Sequence, residues 1–262
     1  MLGRVFSSVF SQISRKLWMV CVLFAAISLI SFLAGNAQGI IAMISRILQI
    51  TVLILGVVLV FYAFLVCWVF FRNSFYQDQA FLYQTLPVKR TTLFYGELAA
   101  FVCWQIIVFV LLCAGLWYGM ANQEIRDYIS MMITDMLPMA MGSSANTWLL
   151  LILFAAACFE QLICEMIAGI FGICAGYSTL KDKLGKAVVI GIFSYYGLAA
   201  IMLGILFIMA KMNPDTWALL DSGGFGPEIL PLLGWLAALY LVAIAILIGA
   251  SRAIVKKGIN ID

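Results

Sequence analysis

The chain contains no histidine and very few charges. Charged residues make up 10% of its 262 positions. The missing histidine excludes a histidine-ligated metal site, a Ser-His or Cys-His nucleophile pair and a histidine proton relay. The phosphate-binding motif G-x-x-x-x-G-K-[ST] is also absent from the sequence, so the chain has no P-loop with which to hydrolyse ATP. We therefore expect no enzyme activity, no metal and no cofactor in this chain.

Long hydrophobic runs dominate what is present. Apolar residues make up 65% of the chain and the mean hydropathy is +1.12. Six segments are long enough to cross about 30 Å of hydrocarbon as helices. They are 17–35, 47–71, 98–120, 148–177, 187–210 and 229–251. We predict an all-α polytopic membrane protein with a single membrane domain over residues 1–262, surrounded by the lipid bilayer and binding no nucleic acid.

The seven cysteines all lie in these apolar segments. Cysteine in an apolar helix behaves as a small packing residue, and the positions here suggest neither a disulfide framework nor a set of metal ligands. The five methionines of segment 131–141 are interpreted in the same way, as adaptable apolar side chains rather than a copper site.

The positive charges predict the orientation. With the N-terminus inside, 12 of the 15 basic residues fall in inner segments, and only Arg46, Arg126 and Lys211 fall in outer ones. Cytosolic segments of membrane proteins carry an excess of Lys and Arg. The sequence therefore predicts six spans with both termini in the cytosol.

Three segments outside the spans have helical patterns of their own. Residues 2–13 carry an apolar stripe at helical spacing, which predicts an interfacial helix; the alternative is an early start of the first span. A second amphipathic stripe in 125–137 predicts a helix on the outer interface. The Gly- and Pro-rich segment 211–231 predicts either a turn or broken outer helices before the sixth span.

Two acids interrupt the fourth apolar segment. Glu160 and Glu165 each cost about 2.5–3.5 kcal/mol at the bilayer centre on insertion scales, so they are candidate functional residues. Gln161 and Glu165 continue a stripe of glycines at helical spacing. A glycine stripe allows a second helix to approach closely. The acids therefore either hydrogen-bond across a packed helix pair or line a translocation path, and without a basic partner their neutral form is favoured.

The segment between the second and third apolar runs, 71–98, is the most informative. Asp78 can cap a short helix over 79–86, which Pro87 would end. The aromatic and aliphatic side chains of this short helix predict a coupling helix that docks on a cytosolic partner. The alternative is a helix lying among lipid headgroups. The residues expected to make the contact are Gln77, Asp78, Gln79, Phe81, Leu82, Tyr83, Thr85, Leu86, Pro87, Lys89 and Arg90.

These residues resemble the permease subunits of type-2 (exporter) ABC transporters, in particular the small bacterial members. Those members carry the phrase acid-x-x-aromatic-Leu-x-x-Thr-Leu-Pro-Val after the second span, and this chain has Asp78, Phe81, Leu82 and 85–88 at the matching positions. Six spans with both ends inside also resemble the family. The chain departs from it at Ala80, where Gly is frequent, and at Glu97, where Lys is frequent.

The resemblance implies a function and partners. Such a permease pairs with a second copy or a sister permease and binds two separate ATPase subunits. ATP and Mg are expected to bind to those ATPase subunits. It would lie in the bacterial cytoplasmic membrane and export or extract a hydrophobic or amphipathic substrate such as a lipid, peptide or drug. The alternative function is a stand-alone ion-coupled transporter or channel that uses Glu160 and Glu165.

Overall fold

The protein is helical throughout the part of the chain that the structure describes. The computed structural model describes residues 2–35, 40–77, 80, 89–120, 123–178, 183–221 and 226–257, and these contain no strand. The helices are α1 (Leu2–Ala34), α2 (Ile40–Tyr76), α3 (Arg90–Met120), α4 (Gln123–Met131), α5 (Leu137–Met141), α6 (Ser144–Tyr177), α7 (Lys183–Met212), α8 (Pro214–Asp221) and α9 (Ile229–Lys257). A π-helical turn, Met132–Met136, joins α4 to α5.

Six of these helices are long and apolar enough to cross a membrane: α1, α2, α3, α6, α7 and α9. The six predicted spans are thus confirmed, and the chain is a multi-pass membrane protein. The helices extend beyond the predicted spans because hydropathy detects only the part that matches the hydrocarbon. α2 continues from Phe71 to Tyr76, and α3 begins at Arg90 rather than Leu98.

The described residues form two compact units. The first contains α1, α2, α3, the start of α4 up to Asp127, and residues 255–257 at the end of α9. The second runs from Tyr128 to Ile254 and contains the remaining helices. The prediction of a single membrane domain over 1–262 stays a prediction.

In the first unit, α1 runs parallel to α3. Near their beginnings, the Trp104 indole N–H donates to the Phe10 carbonyl oxygen at 3.3 Å, and the two rings stack at 5.2 Å. Near their ends, the Ser31 hydroxyl donates to the Gly119 carbonyl oxygen at 2.5 Å. Helix α2 runs antiparallel to both. The N-terminus of α1, the C-terminus of α2 and the N-terminus of α3 therefore lie at the same end of the unit.

The N-terminal amphipathic segment is the first part of α1 and continues into the span without a break. Its apolar stripe is covered by protein: Val9 and Ile13 are completely buried, and Val5 lies against Gly96 of α3. An apolar stripe at helical spacing records only that one face avoids water. Here α3 covers that face. The sequence predicted a separate interfacial helix, but the structure shows the alternative, an early start of the first span, because the segment is continuous with the rest of α1.

In the second unit, α6 and α7 pack closely along the predicted glycine stripe. A Cβ added at Gly172 would lie 2.7 Å from both the Cα and the amide nitrogen of Gly191, and it would collide with the Ala187 carbonyl oxygen. One turn further along, a Cβ at Gly176 would meet the Ala187 backbone. Small residues at such positions bring two backbones together, which increases dispersion contacts that lipid cannot supply.

Gly172→Ala should therefore destabilise the second unit by about 1–3 kcal/mol, because the added methyl group can be accommodated only by separating two backbones. Gly197→Ala in α7 is the matched control, since a Cβ there has nothing within 4 Å. Its effect should stay within about 0.5 kcal/mol. Reversible unfolding in mixed micelles measures both variants, and equal stability of the two would contradict the close approach of α6 and α7.

Candidate functional site

The loop that joins α2 to α3 carries the predicted docking residues, and the structure describes its two ends. Asp78, Gln79 and residues 81–88 lie outside the described residues, so the predicted helix 79–86 and its cap stay predictions. At one end, the Ala80 amide donates to the Gln77 carbonyl oxygen at 2.7 Å. At the other end, the Lys89 carbonyl oxygen accepts from the amide of Thr92 at 2.8 Å and opens α3.

A cluster of aromatic rings joins the helix ends that carry this loop. Phe71 of α2 stacks on Phe75 with ring centroids 4.7 Å apart and meets Phe94 of α3 edge-on at 6.1 Å. One turn away from the loop, Phe70 meets Phe101 edge-on at 6.2 Å. Such pairs contribute about 0.5–1.5 kcal/mol each beyond their burial. The loop therefore begins and ends on two helix ends that aromatic packing holds together; these ends form the base of the loop.

A buried acid lies within this base. Glu97 of α3 is 0% exposed, and its Oε2 atom is 2.9 Å from the Ser74 hydroxyl oxygen of α2. Its other carboxyl oxygen, Oε1, is buried without a hydrogen-bond partner among the described residues. A polar contact thus links α2 to α3 near the ends that carry the loop, and the side chains around it are mainly aromatic.

The Ser74 hydroxyl lies within hydrogen-bond distance of two acceptors, so a neutral Glu97 carboxyl group could serve as a donor to it. The Ser74 hydroxyl also lies 3.1 Å from the Phe71 carbonyl oxygen, but a hydroxyl has only one hydrogen to donate. Both contacts are hydrogen bonds at the same time if Ser74 donates to Phe71 and the neutral carboxyl donates to the Ser74 oxygen. A neutral acid also avoids the large cost of an isolated buried carboxylate.

Sequence reasoning missed Glu97 because the third span was expected to begin one residue later. The signal was available in the helical spacing. Phe94, Glu97, Phe101 and Trp104 recur every three or four residues, and all four are buried. Once α3 is extended back to Arg90, the same spacing places Glu97 on the buried face.

A second buried polar side chain lies deeper on that face. Gln105 of α3 is 0% exposed, and neither its amide nitrogen nor its amide oxygen has a hydrogen-bond partner among the described residues. The Cys67 thiol of α2, a weak hydrogen-bonding group, faces the Gln105 side chain. The interface between α2 and α3 therefore contains two buried polar side chains from α3, Glu97 near the loop and Gln105 further along the helix.

Of the three polar residues predicted within the membrane on α6, Glu160, Gln161 and Glu165, only two share a contact. The Gln161 amide donates to the Tyr195 hydroxyl oxygen of α7 at 3.3 Å, and Glu165 lies beside the same hydroxyl. Glu160 is half-buried, and its Oε2 atom has no hydrogen-bond partner among the described residues. Gln161 and Glu165 therefore both contact Tyr195 of α7, and the choice between helix packing and a translocation path for the three polar residues stays a prediction.

Comparison with known proteins adds no family to this geometry. The chain matches no family model, no curated protein and no solved structure. Among the described residues, the base of the loop is the best-defined site.

If Glu97 is a neutral donor, Glu97→Gln should preserve the base, because an amide N–H can donate to the Ser74 oxygen in its place. We expect its unfolding free energy in mixed micelles to stay within about 0.5 kcal/mol of the unmodified chain. Glu97→Ala removes the donor and leaves a cavity, and should cost about 2–4 kcal/mol. Equal destabilisation by both substitutions would contradict the role of Glu97 as a hydrogen-bond donor.

Proposed function

We propose that this chain is the membrane-spanning permease subunit of an ATP-driven ABC exporter, with its ATPase on a separate chain. The observation that carries the proposal is the loop 77–89, which matches the family phrase at Asp78 to Val88 and stands on the aromatic base of α2 and α3. A loop that transmits force needs a stiff attachment at both ends. The rings around Phe71 and the contact of Glu97 with Ser74 supply that attachment.

The charges at this end of the first unit support the same proposal. The N-terminus of α1 and the loop lie together, and this end carries Arg4, Arg72, Lys89 and Arg90. The opposite end carries Arg46 and Arg126, and the Arg126 guanidinium lies 4.8 Å from the centre of the Phe32 ring. By the positive-inside rule, the end with the loop faces the cytosol, where an ATPase could reach it.

In this proposal both termini are cytosolic, and the remaining short helices lie on the outer side. The amphipathic helix α4 would rest on the outer interface, and α8, between the ends of α7 and α9, would be the broken outer helix before the sixth span. The protein would lie in the bacterial cytoplasmic membrane and pair with a second copy or a sister permease. The paired permeases would enclose the path for a hydrophobic or amphipathic cargo.

The mechanism follows from the stiffness of the base. Closure of two ATP-bound subunits would displace the loops docked on them, and each loop would carry α2 and α3 with it. α1 would follow, because it is tied to α3 from Phe10 to Ser31 by the hydrogen bonds to Trp104 and Gly119. ATP hydrolysis would then release the loops and restore the starting arrangement. This chain contributes no catalytic residue to that cycle.

Phe81→Ala and Leu86→Ala should each lower the recovery of a co-purifying P-loop ATPase at least tenfold, because they remove the apolar contacts by which the loop would dock. Phe61→Ala is the matched control: it removes an exposed ring from the middle of α2, away from the loop. Affinity purification in mild detergent, with mass identification of the associated chains, measures all three. Normal ATPase recovery with both loop variants would contradict the docking role, and no ATPase with the unmodified chain would contradict the proposal.

The alternative, a stand-alone ion-coupled transporter, is favoured by one observation, the Glu160 Oε2 atom that has no partner among the described residues. In that case Glu160→Gln should abolish transport by the chain alone in liposomes, and a proton uncoupler should have the same effect on the unmodified chain. In the ABC exporter, Glu160→Gln should leave ATP-driven transport within about twofold. Transport assays with and without the ATPase separate the two functions.

A further inference from the structure

The second unit contains an apolar groove that none of the preceding functional arguments uses. It has a volume of about 580 Å³ and is formed by α7, α8 and α9, within the range of about 300–1,000 Å³ typical of small-molecule sites. All of its lining residues are apolar; they include Leu206 and Phe207 of α7, Trp217 of α8, and Leu232, Leu233 and Leu236 of α9.

Two contacts hold the walls of the groove in place. Trp217 meets Phe207 edge-on, with ring centroids 5.6 Å apart and planes at 89°, which fixes α8 against α7. The Thr216 hydroxyl donates to the Glu228 carbonyl oxygen at 3.4 Å, which ties α8 to the beginning of α9. Thr216 is 2% exposed, so this tie is protected from solvent. The groove is therefore a built feature of the fold.

The shape of the groove suits a hydrocarbon chain whose polar end stays at the helix termini. Its lining covers Leu203 to Ala210 on α7 and Ile229 to Leu236 on α9. At 1.5 Å per residue, each stretch extends about 10 Å from the polar end of its helix toward the middle of the span. Beyond the lining, Lys211 and Asn213 on one side and Glu228 on the other mark the change to polar residues.

The charges at that polar end are mainly negative. Residues 211–228 contain one basic residue, Lys211, and three acids, Asp215, Asp221 and Glu228, for a net charge of −2. Asp215 and Asp221 are exposed on α8. Asp221 is four residues after Trp217 and shares its face of the helix, whereas Asp215 is two residues before it and lies on the opposite face. An apolar groove with a negative rim is complementary to a molecule that has a hydrocarbon chain and a positive headgroup.

We propose that this groove binds a cationic amphiphile, with the chain between α7 and α9 and the headgroup beside Asp221 and Glu228. The site deepens the proposed export function, on which its role as a cargo site rests, by naming the class of cargo. Leu236 lines its deep end and Trp217 its outer wall. An ordinary lipid with a neutral or anionic headgroup would fit the apolar part but would gain nothing from the rim.

Photolabelling of the purified chain alone in nanodiscs tests the site. The probes are three molecules with the same diazirine-bearing dodecyl chain and a trimethylammonium, sulfate or maltoside headgroup. Peptide mapping should locate the trimethylammonium label within 203–236, up to about fivefold above the sulfate label, since one attractive surface charge contributes up to that factor. Leu233→Trp, which fills the groove, should lower this labelling at least fivefold.

Two comparisons complete the test. Leu241→Trp, a substitution of a side chain that is 57% exposed on α9 and outside the lining, should leave labelling unchanged. The double substitution D221N/E228Q should abolish the preference among headgroups while chain labelling within 203–236 persists. If Leu233→Trp fails to fold, Ala210→Phe fills the same groove from α7 and should lower labelling to the same extent.

Equal labelling by all three headgroups would overturn the proposal and identify the occupant as ordinary lipid. Labelling that survives both groove-filling variants would place the probe elsewhere and also overturn it. Because no ATPase is present in this experiment, its failure leaves the co-purification test of the proposed function unaffected. Conversely, labelling that follows the expected pattern without a co-purifying ATPase would retain the site and refute the exporter.

Discussion

Every described span of this protein depends on one constraint: hydrocarbon offers no hydrogen-bond partner to a peptide group. The backbone of each span must therefore satisfy itself within one helix. This explains why α1, α2 and α3 continue well beyond their apolar cores, since a helix that has begun gains a hydrogen bond with each added residue. It also leaves side chains as the main means of holding one helix to another.

Helix association in lipid relies on close packing and on polar contacts, because lipid is as apolar as the helix surface. The two units use these means differently. α6 and α7 approach through Gly172 and Gly191, and Gln161 reaches Tyr195 at their interface. α2 and α3 instead pack aromatic rings around Glu97 and Ser74. The first kind of interface is close but has little side-chain volume, whereas the second is stiff and lies beside the loop that would receive force.

The two proposed sites lie where these helices end. At the loop, the packed ends of α2 and α3 present a segment whose match to the exporter permeases runs from Asp78 to Val88. At the other site, the short helix α8 lies between α7 and α9 in the chain, and the three helices form an apolar groove. If both proposals hold, the loop would receive the energy and the groove would hold the cargo.

The sequence alone determined the number of spans, the helical class and the glycine stripe of α6, because hydropathy and helical spacing are local properties of the chain. It did not determine what covers each apolar face. The stripe of residues 2–13 predicted an interfacial helix facing lipid, and only the packing of Val9 and Ile13 showed that protein covers it. Glu97 likewise became a core residue only when Ser74, distant in sequence, was placed beside it. The groove is also a tertiary property, because its walls come from three helices that no periodicity relates to one another.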